Sequence, residues 1–386
     1  MKDFVAKAIQ DLPYSGIRKF FDVAAEMGDV VSLGVGEPDF ATPKHVRDYA
    51  FQMIEKSGTK YTSNSGTPEL RTEICRYMSD KYSLNYQPLS QVLITVGASE
   101  GIDVAMRAII NPGDEVLVVE PCFVSYKPCV IMAGGVAVPV PTKPENDFRV
   151  TVEDIKAKLT PKTKAILLSY PSNPTGAILE RKDLENLAAY LRELDIIVVS
   201  DEIYSELTYN SIHHTSIAEM PGMYERTIVL NGFSKAYAMT GWRLGYACGP
   251  EELIAQMTKI HQYIIMCAPT TAQYAGIEAL RNGDEGVAAM RKEYDTRRRY
   301  ILGELDRIGI ECFEAKGAFY LFPYIGKFGL SSDEFCTRLL YEQKLAVVPG
   351  EAFGDCGEGY VRISYAYSIE SIKEALARLE MFVNTL

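Results

Sequence analysis

The sequence has few of the residues on which metal and hydrolase chemistry usually depend. Its four histidines are His45, His213, His214 and His261, and none lies in an H-E-x-x-H pattern or beside the acid and serine of a triad. His213 and His214 lie in the polar stretch YNSIHHTS, which predicts solvated loop residues. Eight cysteines are scattered without a C-x-x-C pair, and this predicts small buried side chains in a reducing compartment. We therefore expect neither histidine-based catalysis nor a metal site.

The chain also lacks long apolar runs and an excess of positive charge. No run approaches the ~18 apolar residues of a membrane span, and the first 29 residues mix charges throughout, unlike a secretory signal. A cytoplasmic protein is the resulting expectation. Lys plus Arg number 40 against 51 for Asp plus Glu, a formal charge of −11, which argues against nucleic acid or an anionic membrane as the main partner.

What the chain does contain is typical of a globular α/β protein, and its 386 residues favour two domains. Six apolar runs alternate with amphipathic stretches, which predicts a mostly parallel sheet covered by helices on both faces. After a helical region at 284–308 the pattern predicts a smaller α+β unit with helices at about 332–344 and 369–384. We predict a large domain at 41–290 and a small domain that combines 1–40 with 291–386. The six runs are 92–96, 115–120, 164–170, 196–200, 227–231 and 244–249.

Four of the predicted strands are followed by polar residues, and ligands of open α/β sheets gather just beyond the carboxyl ends of the strands. Each feature alone has an ordinary structural interpretation, such as a helix cap, a tight turn or a lysine that reaches the surface. Together they bring four kinds of group to one edge of the sheet. The groups are an amide cradle at Gly97, Ala98 and Ser99, an amide at Asn173, a carboxylate and a phenol at Asp201 and Tyr204, and an amine at Lys235.

One small cofactor uses all four groups. A lysine in the apolar surroundings of NGFSKAYAMTGWRLGY loses its proton more easily than an exposed one and can condense with an aldehyde. Pyridoxal 5'-phosphate has that aldehyde, a ring nitrogen that a carboxylate keeps protonated, and phosphate and phenolate oxygens that need donors. A nucleotide site would need neither the amine nor the acid in these places. The residues therefore predict a pyridoxal phosphate site.

The motifs resemble those of a known family. GFSKAYAMTGWRLG resembles the lysine-attachment signature of the class I and II pyridoxal-phosphate aminotransferases, and SYPSNPTG and SDEIYSEL resemble its asparagine and aspartate segments. The resemblance runs from SLGVGEPDF to YVRISYA. It implies fold type I, a three-layer α/β/α large domain on a mostly parallel seven-stranded sheet, with a smaller α+β domain. It also implies ping-pong transfer of an α-amino group to a 2-oxo acid through pyridoxamine phosphate.

The resemblance assigns the cofactor contacts residue by residue. Lys235 would bind the cofactor covalently and then move the proton at the substrate α-carbon, with Asp201 on the ring nitrogen. Arg243 would hold the phosphate through its planar guanidinium. The ring-stacking position, commonly tryptophan or tyrosine in this family, is Phe123, which can stack without donating a hydrogen bond. The other implied contacts are Tyr204 and Asn173 on the ring oxygen, Gly97, Ala98 and Ser99 on the phosphate, and Tyr61 on the phosphate of a neighbouring subunit.

The resemblance also assigns the substrate contacts. Arg362 in GYVRISYA would clamp the α-carboxylate, although a structural ion pair is the simpler interpretation of a strand arginine. Gly36 and Asn173 would lie near the same carboxylate. Some dicarboxylate-specific members carry lysine where this chain has Ser99, so a strict preference for aspartate is not expected. Tyr14, Ile17 and Phe319 are candidate walls for an apolar, aromatic or extended side chain, or plain core residues.

Two other functions compete with transamination. A C–S β-lyase acting on cysteine conjugates such as cystathionine would use the same cofactor residues, because both reactions begin with removal of the α-proton. A catalytically silent cofactor-binding domain of a transcription regulator would need no complete catalytic set, and the acidic charge argues against it. We expect an enzyme with small-molecule substrates that works as a homodimer with shared active sites, as Tyr61 implies.

Overall fold

A computed structural model describes residues 4–10, 12 and 27–386. The strands, numbered in chain order, are β1 Val31–Ser32, β2 Val92–Thr95, β3 Glu115–Glu120, β4 Val136–Pro141, β5 Thr163–Ser169, β6 Ile197–Asp201, β7 Thr227–Gly232, β8 Gly245–Cys248, β9 Tyr320–Leu321, β10 Leu345–Ala346, β11 Val348–Pro349 and β12 Val361–Ser364. The α-helices are α1 Lys7–Gln10, α2 Lys44–Ser57, α3 Pro68–Tyr82, α4 Gly97–Ile109, α5 Tyr126–Met132, α6 Val152–Lys156, α7 Arg181–Leu191, α8 Glu251–Ile264, α9 Thr270–Asn282, α10 Asp284–Arg307, α11 Ser332–Gln343 and α12 Ile369–Val383.

Seven strands form one sheet in the order β2-β8-β7-β6-β5-β3-β4. Strand β8 runs antiparallel to both of its neighbours, and the other pairs are parallel. Successive residues of a strand point to opposite faces, so Val198 packs in a cluster with Leu187 of α7 while Val199 packs in another with Ile102 of α4. Helices therefore cover both faces, and the predicted three-layer, mostly parallel fold is confirmed.

Within the seven-stranded sheet, β4 is the strand that the apolar pattern did not predict. Its sequence is VAVPVP, and it lies at the edge of the sheet, where it pairs with β3 only. Proline has no N–H to donate, so strands that contain it are confined largely to sheet edges. Pro139 and Pro141 thus suit this position, and they also interrupt the β-branched run by which the other strands are recognised.

The C-terminal part of the chain builds two small sheets. Strands β11, β12 and β9 form an antiparallel sheet, and β1 pairs in parallel with β10. Residues of α10, α11 and α12 pack against these strands in one apolar cluster that includes Leu305, Phe335 and Phe382. The helices match the predicted ones closely. The division at residues 40 and 290 stays a prediction.

His214 differs from its prediction as a solvated loop residue. Only 10% of its side chain is exposed, and its Nε2 atom lies 3.0 Å from Oε2 of Glu202, which is almost fully buried. The ring also packs edge-on against Tyr82. Glu202 lies 12 positions before His214 in sequence, just after the end of β6, and it brings a buried carboxylate to the histidine. A polar local sequence alone does not reveal such a partner.

Among residues 4–10, 12 and 27–386, no α-helix has the length and hydrophobicity of a membrane span. Nor do they contain a group of three or more histidine, cysteine or acidic side chains placed to hold a metal ion. All eight cysteines are free thiols, and five of them are buried.

Candidate active site

A cavity of about 380 Å³ opens beyond the carboxyl ends of the large sheet and is also lined by residues of the C-terminal sheets. The strand-end rule places its lysine, acid and amide correctly, since β6 ends at Asp201 and Lys235 follows β7. The lining residues predicted from the sequence are Gly36, Ala98, Ser99, Phe123, Asn173, Asp201, Tyr204, Lys235, Arg243 and Arg362. The remaining ones are Val35, Glu37, Ile102, Tyr126, Ile203, Ser234, Thr240 and Tyr320.

Lys235 projects into this cavity as a largely buried amine. Its Nζ donates a hydrogen bond of 2.6 Å to the carbonyl oxygen of Gly36 and lies 5.8 Å from the ring centre of Tyr204. Burial, followed by the positive charges of Arg362 and Arg243, lowers the pKa of Lys235 to about 8. An ordinary lysine is almost wholly protonated at neutral pH, whereas this amine is uncharged in an appreciable fraction of molecules. It is therefore suited to condense with an aldehyde.

Asp201 is a buried carboxylate whose described hydrogen-bond partners are uncharged. Tyr126 Oη donates to Oδ2 at 2.7 Å, and the backbone N–H of Ile203 donates to Oδ1 at 3.2 Å. Burial raises the pKa of Asp201 to about 6, and the two hydrogen bonds oppose that rise. A carboxylate held in this way gains most from a cation brought into the cavity, such as a protonated ring nitrogen.

The opposite end of the cavity is an anion cradle at the start of α4. Gly97 has a φ of 74°, which favours glycine, and a Cβ there would lie 2.7 Å from Nη2 of Arg243, so the missing side chain lets the guanidinium lie close to the first turn. Arg243 donates from Nη1 to the carbonyl oxygen of Thr240 at 3.0 Å. The free amides and dipole of the helix start favour an anion. Ser99 and Arg243 are both exposed, so this end is open to solvent.

Arg362 is a buried guanidinium with neutral partners. Only 3% of the residue is exposed, Nη1 donates to Oδ1 of Asn173 at 2.8 Å, and Nη2 donates to the carbonyl oxygen of Gly34. Its Nε has no hydrogen-bond partner within the described chain, and no described acid forms an ion pair with it. Burial lowers the pKa of Arg362. A desolvated cation without a counter-ion stabilises the binding of an anion, and a carboxylate matches its planar shape.

The other predicted site residues lie outside the cavity or outside the described chain. Phe319, a candidate pocket wall or core residue, is fully buried outside the cavity lining, with its ring centre 5.6 Å from Nζ of Lys235. Tyr61 is 78% exposed and does not line the cavity of its own chain. Tyr14 and Ile17 lie outside the described residues.

Two lining tyrosines were not predicted. Tyr126 lies three residues after Phe123 and donates to Asp201, and Tyr320 lies beside Phe319 with its hydroxyl 2.8 Å from that of Tyr204. Both are at most 1% exposed, so in the sequence they look like core residues. The position of Tyr126 beside the ring-stacking residue was the one usable signal.

Comparison with known proteins identifies the family. The family model described as "Aminotransferase class I and II" matches residues 28–379. The chain belongs to the class I and II aminotransferases. It is 47% identical to an aspartate aminotransferase of Pyrococcus abyssi, over 95% of each chain, and 44% identical to aromatic-amino-acid aminotransferase 2 of Thermococcus litoralis, again over 95% of each. An aromatic aminotransferase structure from Pyrococcus horikoshii superposes with a TM-score of 0.91 at 43% identity, over 96% of this chain and 99% of that one.

This aminotransferase depends on pyridoxal phosphate, and the cavity fits that cofactor. The fit is tested by three features: an amine of lowered pKa at Lys235, a buried carboxylate with uncharged partners at Asp201, and a glycine at position 97 against which the guanidinium of Arg243 lies at the start of α4. The fold-type I assignment is confirmed by the aminotransferase structures that superpose on the chain. The β-lyase alternative is not favoured, because the family and the named relatives are aminotransferases.

Tyr126 provides the first testable prediction. In Tyr126→Phe, the pKa of Asp201 should rise above about 6, because the hydrogen bond that favours the ionised form is removed. We expect the apo-protein to lose affinity for pyridoxal phosphate on acidification about one pH unit earlier than the wild type. Cofactor dissociation constants measured between pH 5 and 8 would test this.

The matched control is Ser169→Ala. Ser169 Oγ lies 2.8 Å from Tyr126 Oη, and no hydrogen bond joins it to the Asp201 carboxylate. Its replacement should shift the pH at which affinity for pyridoxal phosphate is lost by less than Tyr126→Phe does. If wild type and Tyr126→Phe lose affinity at the same pH, Tyr126 does not affect the pKa of Asp201.

Proposed function

We propose that this aminotransferase moves the α-amino group of an L-amino acid to a 2-oxo acid, using Lys235 as the proton-transferring base. The observation that carries this proposal is that one cavity contains the amine of Lys235, the carboxylate of Asp201 and two guanidinium groups that no described acid pairs with, Arg243 and Arg362. An amino acid bound to pyridoxal phosphate needs all four, because the complex carries a phosphate, a carboxylate, a ring nitrogen and an acidic α-proton.

The residue roles follow from position and charge. Arg362 binds and orients the substrate α-carboxylate, and Asn173 is held beside it by their 2.8 Å hydrogen bond. Asp201 would hold a proton on the ring nitrogen, and the cofactor, when bound, would supply an electron sink for the α-carbon. Tyr204 and Asn173 would donate to the ring oxygen, Phe123 would stack on the ring, and Arg243 with the start of α4 would hold the phosphate. Lys235 would act as the base that removes the α-proton of the substrate and then returns it.

The side-chain preference is the finer part of the proposal. Relatives of this chain are named for aspartate and for aromatic amino acids, so likeness alone does not choose between them. The described cavity wall has three cations, and the cofactor attachment, the phosphate and the α-carboxylate each use one. No fourth remains in that wall for a second carboxylate, and position 99 is serine. We therefore propose that neutral side chains are accepted and that aspartate is not strictly preferred.

A half-reaction screen tests the proposal. Purified holoenzyme is mixed with each common amino acid, and with acylated diamino acids, without any 2-oxo acid present. We expect the visible cofactor band to be replaced by the pyridoxamine phosphate band near stoichiometrically with the preferred donors. Steady release of pyruvate from cysteine conjugates without an acceptor would instead indicate a lyase. A response to aspartate and glutamate alone would refute the proposed side-chain preference.

We propose further that the enzyme works as a homodimer with shared active sites. Tyr61 is 78% exposed and Tyr263 is 84% exposed, and the segments that contain them are joined by a hydrogen bond from Asn64 to the backbone of Met266. Exposed aromatic side chains of this kind are typical of protein interfaces. The open phosphate end at Arg243 would be completed by Tyr61 of a second copy.

Free thiols throughout the chain support a reducing, cytoplasmic compartment.

Hybrid dimers test the sharing of sites. Lys235→Ala subunits lack the amine but supply an intact Tyr61, whereas Tyr61→Ala subunits supply an intact Lys235. If Tyr61 serves the neighbouring subunit, a mixed dimer contains one complete site, and the mixture should exceed the averaged activity of its parents at limiting pyridoxal phosphate. A mixture with only the averaged activity, although subunits exchange, would place Tyr61 in its own site or in none.

A further inference from the structure

Tyr320 contacts both Arg362, the proposed carboxylate clamp, and Tyr204. It belongs to β9, is 1% exposed and lines the cavity. Its hydroxyl oxygen is 2.8 Å from the hydroxyl oxygen of Tyr204, and its ring centre is 4.5 Å from the guanidinium carbon of Arg362. One side chain therefore contacts both the residue proposed to bind the ring oxygen and the residue proposed to bind the α-carboxylate.

The hydroxyl contact has a defined direction if Tyr204 donates to the cofactor ring oxygen. The single proton of Tyr204 is then committed to the cofactor, so Tyr320 donates to Tyr204. Donors in such a chain polarise one another, and Tyr204 becomes a stronger donor than it would be alone. Burial raises the pKa of Tyr204, which keeps its proton available for donation.

The ring contact acts on Arg362. Its guanidinium carbon lies over the rings of Tyr320 and Phe353, at 4.5 and 4.8 Å from the two ring centres. Aromatic faces attract a cation and restrict a flexible arginine to one plane. That plane is fixed further by the hydrogen bond from Nη1 to Asn173. A clamp held in this way is oriented before the carboxylate arrives.

The backbone of Gly36 lies directly against the Tyr320 hydroxyl. A Cβ on Gly36 would lie only 2.1 Å from Tyr320 Oη, and the carbonyl oxygen of the same Gly36 accepts the hydrogen bond from Lys235. Tyr320 thus packs against the residue that holds the resting amine. Its position is fixed from three sides, by Gly36, Tyr204 and Arg362.

We propose that Tyr320 is a positioning residue that aligns Arg362, the carboxylate clamp, with Tyr204, the donor to the cofactor ring oxygen. Its ring orients Arg362, and its hydroxyl makes Tyr204 a stronger hydrogen-bond donor. This inference rests on the proposed function, because it assumes that Arg362 binds the α-carboxylate and that Tyr204 binds the ring oxygen. It assigns two separable tasks to one side chain. Two substitutions can therefore divide them.

The hydroxyl task is tested by Tyr320→Phe, which keeps the ring. A weaker Tyr204 donor stabilises the ionised ring oxygen less, so the pH midpoint of the visible cofactor band should rise by about half a unit. The KM for the amino acid should change less than about twofold, because the ring still faces Arg362. The control is Tyr365→Phe, which removes another fully buried hydroxyl, bonded to Ala318, and should leave both quantities unchanged.

The ring task is tested by Tyr320→Leu. Loss of one aromatic face should raise the KM for the amino acid by roughly tenfold relative to Tyr320→Phe, while the band midpoint stays close to that of Tyr320→Phe. Phe353→Leu removes the other face and should raise the KM without moving the band midpoint, since no hydrogen bond links Phe353 to Tyr204. Thermal unfolding of each variant identifies losses that come from misfolding.

Different outcomes would contradict the role of Tyr320 and the proposed aminotransferase function on which it rests. A wild-type enzyme without a visible cofactor band or a half-reaction would overturn the proposed function itself. If the wild type transaminates but folded Tyr320→Phe keeps the wild-type midpoint, the hydroxyl task is wrong. If folded Tyr320→Leu keeps the KM of Tyr320→Phe, the ring task is wrong.

Discussion

Replacement of Lys235 by alanine is expected to lower kcat by at least about 10⁴-fold and to abolish covalent cofactor attachment. The amine is the described cavity's only lysine, and its pKa is lowered to about 8 by burial and two nearby arginines. Alanine removes both the attachment point and the base that moves the α-proton. The measurements are single-turnover kinetics with saturating cofactor and donor, and mass spectrometry after borohydride reduction.

Two further results would show that the loss is chemical and not structural. A small primary amine in the buffer should restore part of the activity of Lys235→Ala, because it supplies a base of similar type to the space left by the side chain. In the wild-type apo-protein, the rate of attachment should rise about tenfold per pH unit up to pH about 8 and then level off, since only the uncharged amine reacts. A borohydride-stable cofactor on folded Lys235→Ala would move the attachment to another residue.

Sequence alone was enough to find the residues that follow strands. The apolar runs are local, and the carboxyl-end rule turns each run into a prediction about the next few positions, which is how Asp201 and Lys235 were found. The same reasoning did not extend to partners supplied by distant segments. Tyr320 approaches Tyr204 across 116 positions of sequence, and Tyr126 approaches Asp201 across 75.

The expectations that the structure corrected have the same cause. His214 lies in a polar stretch, and only the folded chain brings the buried Glu202 within 3.0 Å of it. Phe319 lies in the turn just before β9 and is fully buried, whereas the next residue, Tyr320, begins the strand and lines the cavity. The local sequence pattern predicts the type and position of a helix or strand, whereas tertiary packing decides which of two adjacent side chains faces the cavity.

Replacement of Arg362 by methionine is expected to raise the KM for the amino acid by about 10²- to 10³-fold, the cost of losing a desolvated, charge-assisted carboxylate contact. The free energy of unfolding should change by no more than about 1 kcal/mol. Removal of a buried cation without a counter-ion stabilises the fold, and this offsets the two lost hydrogen bonds to Asn173 and Gly34. Steady-state kinetics and chemical unfolding measure the two quantities separately.

Arg298 is the matched control, because it is a buried arginine that is engaged in ion pairs. Its side chain is fully buried and lies 2.8 Å from Asp295 and 3.0 Å from Glu314, away from the cavity. Arg298→Met should therefore lower the unfolding temperature and leave the KM unchanged, the reverse of Arg362→Met. Arg362→Lys sharpens the test, since a point charge without the planar fork should recover only part of the lost affinity. An Arg362→Met variant that unfolds easily and keeps a normal KM would make Arg362 a structural residue and would leave the carboxylate without a clamp.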